Sequence, residues 1–565
     1  MKKIIFIISI FLVSCFSSNA DNLMRERVYI HTDKDCYIAG EDIWLKFYLI
    51  NSDFKPSALS KVGYIEICDT EKPHIQLKVA LENGSGAGKV KIPVDIPSGI
   101  YRLSGYTRFM RNEGENVFFY KQLAIINAGQ QTFDPKRMEL KENYENIQPA
   151  EIEHSGEKQP ANLLVFTDRN EYGNRMKVAL SIDNIPENTA GLVVSVSRND
   201  SITILQQINK EDWKKQVKET LLFSQRWIPE YEGHIINGAF TPKLQENQLR
   251  STISIAGKDI RYFNGKINYQ NETVDFYTGA IYGKQQVVTS VISTLYDKVP
   301  FRLDLKTPFC ESLPVNLPVL QIYPNERQLI ERYIGAQIKK NSDNDSIIFP
   351  VQPSGYFSFQ PIFSYDLDEY TRFNSIGETI LEFINRVHVA RVEGKRKIKV
   401  FSDEENRFNY GNTLVLFDGV PIYDHEEILR YNPMHIKKIN VYDGKYLFGG
   451  EDIECIVSFI TYEGNLPFFQ LSEGSQLFNY EFPQLPSKFE IPDYSNELIR
   501  NSKKPDFRHT LYWNPLVEYT HGLPVNLSFF TSDLEGEFKI IVEGFTAEGE
   551  MLHGVSYFKV VKPNK

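Results

Sequence analysis

Short runs of apolar residues recur along most of the chain, separated by Gly, Pro, Asn and Asp. An aromatic-rich run at 43–49 is typical, and many others are four to eight residues long. Runs of this length and punctuation predict β-strands. Apolar residues at helical spacing are confined to a few segments, of which 210–223, 324–339 and 376–387 are the clearest. The pattern predicts a mainly β chain of tandem β-sandwiches with one α+β module.

The first residues have the pattern of an export signal. Lys2 and Lys3 precede an apolar run, 4–13, which is shorter than the roughly 20 residues of a membrane-spanning helix. Two processing patterns compete. A small-x-small sequence predicts cleavage after Ala20, whereas a lipobox would leave Cys15 as a lipidated N-terminus. Both predict a mature chain outside the cytoplasm.

The composition argues against nucleic acid as a partner. The net charge is −10, and a nucleic-acid-binding face would need to be basic. The 38 Phe and 31 Tyr residues suit sandwich cores and cross-strand pairs. Four cysteines follow the signal: Cys36, Cys68, Cys310 and Cys455. Their spacing does not match that of a metal-binding or redox motif. Cys36 and Cys68 could pair in an exported protein, although small buried hydrophobes are the favoured role.

One stretch organises the later part of the chain. Four apolar residues at 414–417 run into an Asp-Gly turn signal, and a second apolar strand is predicted at 436–442. A Tyr- and Gly-containing turn then leads to a third strand at 456–462. The residues that define this pattern are Asp418, Gly419, Pro421, Ile439, Val441, Gly444 and Gly449. Asp418 is interpreted as a turn-former in preference to an acid catalyst.

This order of strands and turns resembles the plug domain of TonB-dependent outer-membrane receptors. The resemblance implies an α+β module at 363–465. A receptor barrel of about 22 strands would need more than ~200 further residues. Because the sequence after Thr461 ends at Lys565, we expect a plug-like module without a barrel.

A second resemblance begins at Thr32, where Thr-Asp-Lys-x-x-Tyr-x-x-Gly-Glu ends at Glu41. The pattern resembles the second macroglobulin (MG2) domain of the α2-macroglobulin family, an immunoglobulin-like sandwich. We expect a positive φ at Gly40. The chain has no Cys-Gly-Glu-Gln thioester segment. The domain order as a whole resembles Bacteroidetes envelope proteins, and this implies location and architecture more than activity.

The predicted fold class is therefore mainly β, with tandem immunoglobulin/macroglobulin-like sandwiches and an α+β plug-like domain. The predicted organisation is 1–20 signal peptide (with the alternative at Cys15), 26–128 MG2-like sandwich, 129–160 linker, 161–225 second macroglobulin-like sandwich with a helix, 228–310 carboxypeptidase-regulatory-like sandwich, 311–362 connector with a helix, 363–465 plug-like domain, 466–505 extended strap and 506–563 C-terminal sandwich.

Three local pairs invite a chemical interpretation, and each has a simpler structural one. The pairs are His31 with Asp33 as metal ligands, Glu230 with Glu232 as glycosidase acids, and Asp343 with Asp345 as calcium ligands. No third ligand accompanies the first pair. Glycosidase acids face each other across a cleft, and the third pair lacks the rest of an EF-hand. We therefore predict no catalytic, cofactor or metal site.

The predicted function is a non-enzymatic scaffold or docking protein of the outer membrane or periplasm. Its partner would be another envelope protein, which could be a separate barrel, and a lipid anchor would be its only membrane contact. An accessory glycan- or peptide-binding protein is the alternative, with Trp44, Trp227 or Trp513 as aromatic platforms. The sequence contains no Gly-x-Ser-x-Gly, no His-Glu-x-x-His and no separable nucleophile–base pair, so a hydrolase is disfavoured.

Overall fold

The structure is a computed structural model. It describes residues 25–130, 134–141, 162–199, 202–203, 205, 210–219, 222–241, 249–293, 301–323, 326–340, 359–392, 394–402, 407–408, 413–448, 451–520 and 522–562. The predicted signal peptide, including Cys15, therefore lies outside the described residues, as do Gly449 and the loop with Asp343 and Asp345.

The chain divides into two interleaved units. Unit 1 comprises Met1–Tyr231, Phe309–Pro350 and Pro483–Lys565, and unit 2 comprises Glu232–Pro308 and Val351–Phe482. Each unit is thus built from stretches that are distant in sequence.

Within the described residues, strands predominate over helices, which confirms the mainly β fold class. The strands are β1 Glu26–Thr32, β2 Cys36–Ile38, β3 Asp42–Asn51, β4 Val62–Cys68, β5 Pro73–Ala80, β6 Ser85–Lys91, β7 Gly99–Tyr106, β8 Phe119–Ile126, β9 Met138–Leu140, β10 Leu164–Thr167, β11 Glu171–Tyr172, β12 Lys177–Asp183, β13 Thr189–Arg198, β14 Ile235–Thr241, β15 Leu249–Ile255, β16 Tyr262–Asn268, β17 Thr273–Tyr277, β18 Lys284–Ser293, β19 Arg302–Leu305, β20 Leu320–Ile322, β21 Phe363–Asp366, β22 Val387–Val392, β23 Lys395–Ser402, β24 Arg407–Phe408, β25 Thr413–Phe417, β26 Val420–Pro421, β27 Ile436–Phe448, β28 Glu451–Thr461, β29 Ser475–Glu481, β30 Thr510–Asn514, β31 Val525–Phe530, β32 Gly536–Thr546 and β33 Met551–Val560. The α-helices are Lys210–Lys218, Glu326–Lys340, Ile376–Phe383, His425–Leu429 and Glu497–Arg500.

The first sandwich of unit 1 pairs a three-stranded sheet, β1-β3-β6, with a five-stranded sheet, β2-β8-β7-β4-β5. Strand β1 is buried on both faces, so its residues do not alternate between buried and exposed. Ile30 packs against Gly105 of the opposite sheet. Tyr29, on the other face of the strand, packs its ring against Phe545 at a centroid distance of 5.8 Å. The burial on both faces includes Glu26, Arg27 and His31, so β1 carries polar side chains that must be paired inside the protein.

The second sandwich of unit 1 draws its strands from two distant segments. Its sheets are β10-β12-β31 and β11-β33-β32-β13-β30. The prediction of separate sandwiches at 161–225 and 506–563 is therefore wrong. Strand β13 lies between β30 and β32, and Ser195 is opposite both Trp513 and Ile541. Neither segment has enough strands to cover its own apolar face, and pairing supplies the missing layer.

The helix Lys210–Lys218 seals the first sandwich. Trp213 lies within 5.1 Å of the Tyr29 ring, measured between centroids, and its indole N–H donates to the carbonyl oxygen of Val28 at 3.1 Å. The helical pattern predicted at 210–223 is thus correct in type and start, but the helix ends at Lys218.

Unit 2 contains a seven-stranded sheet, β19-β14-β17-β16-β15-β18-β29. Its last strand, β29, comes from the segment predicted to be an extended strap, 466–505. Leu477 of β29 lies opposite Val288 of β18 in an antiparallel register. This part of the strap prediction is wrong, because the free edge of β18 is completed by pairing with β29.

The module at 363–465, which the sequence predicts to be plug-like, belongs to unit 2 and is α+β. Its five-stranded sheet has the order β21-β27-β28-β25-β26, and a three-stranded sheet, β22-β23-β24, accompanies it. Strands β25 and β28 run parallel, with Val415 opposite Val457. The helix Ile376–Phe383 is capped by Ser375, whose hydroxyl accepts from the Glu378 amide. It ends earlier than predicted because Val387 already begins β22.

Candidate functional site

The Asp418-Gly419 dipeptide forms the tight turn that the sequence predicts. Strands β25 and β26 pair with Phe417 opposite Val420, which leaves two residues in the turn. Asp418 and Gly419 both have positive φ, 45° and 74°. Two successive positive φ values define a type I′ turn, whose twist matches that of the flanking strands. A Cβ at Gly419 would lie 2.7 Å from the carbonyl oxygen of Asp259, so the turn also needs glycine for close backbone approach.

The Asp418 carboxylate is buried and ties the turn to two other segments. Its Oδ1 accepts from the Thr461 amide at 2.7 Å, at the end of β28. Its Oδ2 accepts from the Thr461 hydroxyl at 2.7 Å and from the Leu466 amide at 2.9 Å. Backbone and hydroxyl donors therefore occupy both oxygens, and this supports a structural role over acid catalysis.

Other residues of the plug-like pattern form the core of the module. Ile439 and Val441 are fully buried, and Pro421 lies opposite Leu416 in the hairpin. The predicted end of the strand at Tyr442, before the Asp-Gly pair that ends at Gly444, is wrong, because β27 continues to Phe448. Gly444 has a φ of 136° at a shift in the β27–β28 register, so it supplies a β-bulge within the strand.

A short helix, His425–Leu429, is held onto β23 by polar contacts. Asp424 caps it by accepting from the Glu426 amide at 3.2 Å. Burial lowers the pKa of His425 to about 3, so its neutral Nδ1 accepts from the Ile398 amide at 2.8 Å. The hydrogen bonds from the Arg396 guanidinium lower the pKa of the Glu426 carboxyl to about 2. These contacts fix the helix without leaving a reactive group exposed.

One end of the module exposes apolar side chains. We define the aromatic end as Met434, His435, Tyr462 and Phe468. Phe468 is 88% exposed, Met434 56% and Tyr462 42%. The rings of His435 and Phe468 are 5.1 Å apart between centroids, and the Tyr462 amide donates to the His435 carbonyl oxygen at 3.3 Å. His435 therefore contacts Phe468 through its ring and Tyr462 through its backbone, and Met434 precedes His435 in the chain.

Arg372 fixes the backbone beneath the aromatic end. Its Nη1 donates to the carbonyl oxygens of Pro433, at 3.0 Å, and Ile436, at 2.6 Å. Its Nη2 donates to the Tyr462 hydroxyl at 2.8 Å and to Asp368 at 2.6 Å. An apolar surface on a backbone held in this way is preorganised for binding, because little conformational entropy remains to be lost.

Unit 1 contains a serine–histidine–glutamate cluster that the sequence analysis missed. His31 Nδ1 lies 2.7 Å from Glu543 Oε2, and its Nε2 lies 3.0 Å from Ser195 Oγ. The sequence led us to expect no nucleophile–base pair, but the structure places a serine hydroxyl within hydrogen-bond distance of a histidine. The contacts join residues 164 and 512 positions apart, so no local motif could have revealed them.

The cluster is closed to a substrate. Ser195 is 1% exposed, and the Trp513 ring is stacked on His31 at a centroid distance of 5.7 Å. A 230 Å³ cavity beside the cluster is lined by His31 and Glu543, but Ser195 is not among its lining residues. A nucleophile must reach the reacting carbonyl, and here the serine is covered. The arrangement satisfies buried polar groups between the two sandwiches.

The pair His31 and Asp33 does not form a ligand set. His31 contacts Ser195 and Glu543, whereas Asp33 accepts from the Tyr37 hydroxyl at 2.8 Å and from the Thr510 hydroxyl at 2.6 Å. The Asp and Tyr of the MG2-like pattern are thus hydrogen-bonded to each other.

The end of the MG2-like pattern is also structural. Gly40 has the expected positive φ, 89°. Glu41 accepts from the Ile38 amide at 3.0 Å and pairs with Arg332 at 2.9 Å. The neighbouring Arg332 and Lys34 lower the pKa of Glu41 despite its burial.

The glycosidase interpretation of Glu230 and Glu232 fails on geometry. Glu230 is buried, and its two oxygens accept from the Tyr64 hydroxyl at 3.0 and 2.9 Å. Glu232 is exposed. The two carboxylates therefore do not face each other across a cleft.

The tryptophans do not form the exposed platforms expected of a glycan-binding protein. Trp44 and Trp513 are buried. Trp227 is half-buried, and the guanidinium of Arg111 lies 4.1 Å from its ring centroid. Sugar stacking requires a free ring face, so these side chains do not favour the nutrient-binding alternative.

The cysteines that the structure describes are not joined in disulfides. Cys68 is buried and Cys36 is half-buried, without the disulfide that the sequence analysis left open. Within the described ranges, no three His, Cys, Asp or Glu side chains are placed to hold a metal ion. None of the helices described has both the length and the apolar character that crossing a bilayer requires.

Comparison with known proteins gives distant structural likenesses. No protein-family profile matches the chain, and no curated protein matches it. Trypsin-activated α2-macroglobulin from Escherichia coli is 10% identical, with 96% of this chain and 42% of that chain covered and a TM-score of 0.25. A Salmonella α2-macroglobulin mutant gives 10% identity, 96% and 40% coverage and a TM-score of 0.25. The Escherichia coli adhesin FdeC gives 10% identity, 53% and 64% coverage and a TM-score of 0.13.

The chain spans about two fifths of the length of these α2-macroglobulins. They belong to the family that residues 26–128 resemble in sequence. Superpositions with TM-scores this low carry no argument about function, and the mainly β architecture rests on the sheets of the chain itself.

Proposed function

We propose that this chain is a non-enzymatic docking protein of the bacterial cell envelope, and that the aromatic end of its plug-like module contacts the partner. The partner would be an outer-membrane or periplasmic protein, as the export-signal pattern implies. Anchoring could follow from lipidation at Cys15, whereas cleavage after Ala20 would leave the chain in the periplasm.

The exposed surface of Met434, Tyr462 and Phe468 carries this proposal. Exposed apolar groups that adjoin one another mark interaction sites more often than single exposed side chains do. Aromatic side chains and methionine are also the types enriched at protein interfaces. The Asp418 bonds and Arg372 hold the surrounding backbone, so the surface can bind without first being ordered.

The buried state of Ser195 supports the non-enzymatic part of the proposal. Its hydroxyl, His31 and Glu543 satisfy one another, and Trp513 covers the imidazole. The nutrient-binding alternative has no comparable support, because Trp44 and Trp513 are buried.

The experiment compares two exposed apolar positions by photocrosslinking in intact envelopes. A photoreactive amino acid replaces Phe468, and the control replaces Leu498, which is 85% exposed in unit 1. We expect the Phe468 position to yield a discrete crosslinked envelope protein and the Leu498 position to yield none. The substitution Phe468→Ser should reduce co-purification of the same protein by about fivefold or more, as for a central interface residue.

Two outcomes would overturn the proposal. One is equal crosslinking from both positions, because this would reflect exposure alone. The other is a crosslink from position 468 to another segment of the same chain, because this would show that the aromatic end is covered by the protein itself. Thermal melting of Phe468→Ser must match that of the unmodified protein, which is expected for an exposed side chain.

A further inference from the structure

Unit 1 contains a cavity of 430 Å³. It lies between the first sandwich, from which Trp44 contributes, and the segment 488–510. Its volume falls in the range of small-molecule sites.

One side of the cavity is apolar and aromatic. Trp44 and Phe489 meet edge to face, with ring centroids 5.2 Å apart. Tyr494 and Phe507 also line the cavity, and the Tyr494 hydroxyl donates to Asp506 at 2.9 Å. These walls suit a ring or another apolar body, because they are aromatic and the Tyr494 hydroxyl is already bonded to Asp506.

His509 provides an unsatisfied polar group at this cavity. It is 5% exposed, and among the described residues neither ring nitrogen has a hydrogen-bond partner. The backbone at His509 is held by its carbonyl oxygen, which accepts from the Arg198 amide at 2.9 Å, and the side chain of the next residue, Thr510, donates to Asp33. A buried polar side chain without a partner is costly, and a ligand at this position would satisfy it.

Burial, with a contribution from the nearby Arg332, lowers the pKa of His509 well below its usual value. The imidazole is therefore neutral, with one N–H donor and one acceptor nitrogen. A matching ligand offers a hydrogen-bonding oxygen.

The charges around the cavity favour an anion. The lining residues include six cationic and four acidic side chains: Lys34, Lys89, Arg332, Lys488, Lys504 and Arg508, against Glu41, Asp42, Glu490 and Asp506. Arg332 pairs with Glu41 at 2.9 Å and Arg508 with Asp506 at 2.7 Å. Lys34 also pairs with Glu41, at 3.4 Å, and Lys89 with Asp42, at 3.6 Å, so the excess of positive charge rests on the exposed Lys488 and Lys504. An anionic ligand would be attracted, while a cation of the same shape would not.

We propose that this cavity binds a small organic anion that combines an aromatic or aliphatic ring with a carboxylate. The ring would pack among Trp44, Phe489 and Phe507. An oxygen of the ligand would bond to His509, and the positive charge of the lining would favour the carboxylate. This inference is independent of the docking function, because its residues all belong to unit 1.

The test measures binding of 2-naphthoate to the full chain by isothermal titration calorimetry. We expect saturable binding with a Kd below about 1 mM, the range of small fragments in such a site. The cationic analogue 2-naphthylmethylamine should bind at least tenfold more weakly.

Two neighbouring residues provide a matched pair of variants. Ile499 lines the cavity, whereas the adjacent Leu498 does not and is largely exposed. The larger side chain of Ile499→Trp should block the cavity and weaken binding at least tenfold, and Leu498→Trp should leave it unchanged. His509→Leu should also weaken binding, and His509→Gln, which retains a donor and an acceptor, should restore part of it.

Absence of binding to the unmodified protein would overturn the proposal, as would equal binding by Ile499→Trp and Leu498→Trp. Tighter binding of the amine would refute the charge argument and with it the proposed ligand class. If His509→Leu fails to fold, the Ile499 and Leu498 pair still decides the result, because both are on the surface helix Glu497–Arg500.

Discussion

Replacing Asp418 by alanine should destabilise unit 2 selectively. The variant loses three hydrogen bonds to the carboxylate, from the Thr461 amide, the Thr461 hydroxyl and the Leu466 amide. The hydroxyl can rotate toward another acceptor, but the two buried amides cannot. Each orphaned amide costs roughly 1–2 kcal/mol.

Backbone strain adds to this cost. Asp418 has a φ of 45°, and alanine in this left-handed region is disfavoured by about 1 kcal/mol. Removing the buried carboxylate recovers part of its desolvation cost, so we expect a net loss of about 3 kcal/mol. Asp418→Asn should cost about half as much, because asparagine tolerates the turn and keeps one acceptor oxygen.

The assay is hydrogen–deuterium exchange followed by mass spectrometry at the peptides that contain Thr461 and Leu466. We expect faster exchange in the order Asp418→Ala, Asp418→Asn, unmodified protein. All four tryptophans, at positions 44, 213, 227 and 513, belong to unit 1, so their fluorescence in urea reports that unit separately.

The control is Asp424→Ala, which removes a partly exposed helix cap and should cost only about 1 kcal/mol. If Asp418→Ala accelerates exchange no more than Asp424→Ala does, the three hydrogen bonds to the Asp418 carboxylate do not stabilise the turn, and the prediction is refuted.

Two further predictions concern stability. Burial raises the pKa of Glu26 to about 7, so the folded state favours the protonated acid, and this stabilisation is present below pH 4.5 and lost as the pH rises through about 7. Glu26→Gln should remove this pH dependence, so its gain in unfolding free energy over the unmodified protein should be about 3 kcal/mol larger at pH 8 than at pH 4. Urea titration of tryptophan fluorescence measures both proteins at each pH. An unchanged pH profile would contradict the assignment. Gly419→Ala should cost unit 2 more than about 2 kcal/mol, because the new Cβ meets the Asp259 carbonyl oxygen, whereas Gly394→Ala, with positive φ but open space, should cost about 1 kcal/mol. Equal unfolding midpoints for the two glycine variants would contradict the close approach at Gly419.

Local chemistry explains which parts of the fold the sequence could predict. The aromatic-rich run at 43–49 predicts a strand, and it lies within β3, Asp42–Asn51. The Asp418-Gly419 turn follows from two residues with a strong preference for positive φ. Strand runs and turn dipeptides are formed by adjacent residues, so they are visible in the sequence.

Features that depend on distant residues were not predictable in this way. An Asp-Gly pair can end a strand, as at Asp418-Gly419, or form a bulge within one, as at Gly444. Only the pairing with β28 distinguishes a strand end from a bulge. The pairing of β13 with β30 and β32 leaves no local trace, since an apolar strand shows that it is buried but not by what. The contacts of His31 with Ser195 and Glu543 depend on that pairing and were missed with it.

The interleaving of the chain has a consequence for its assembly and breakdown. Strand β13 cannot acquire its neighbours β30 and β32 until roughly 300 further residues have been synthesised, so this sandwich cannot close before then. The same connectivity means that a single peptide-bond cut between β13 and β30 would sever the backbone without separating the pieces. Both fragments would remain held by the shared sheet, and the nicked protein would come apart only on denaturation.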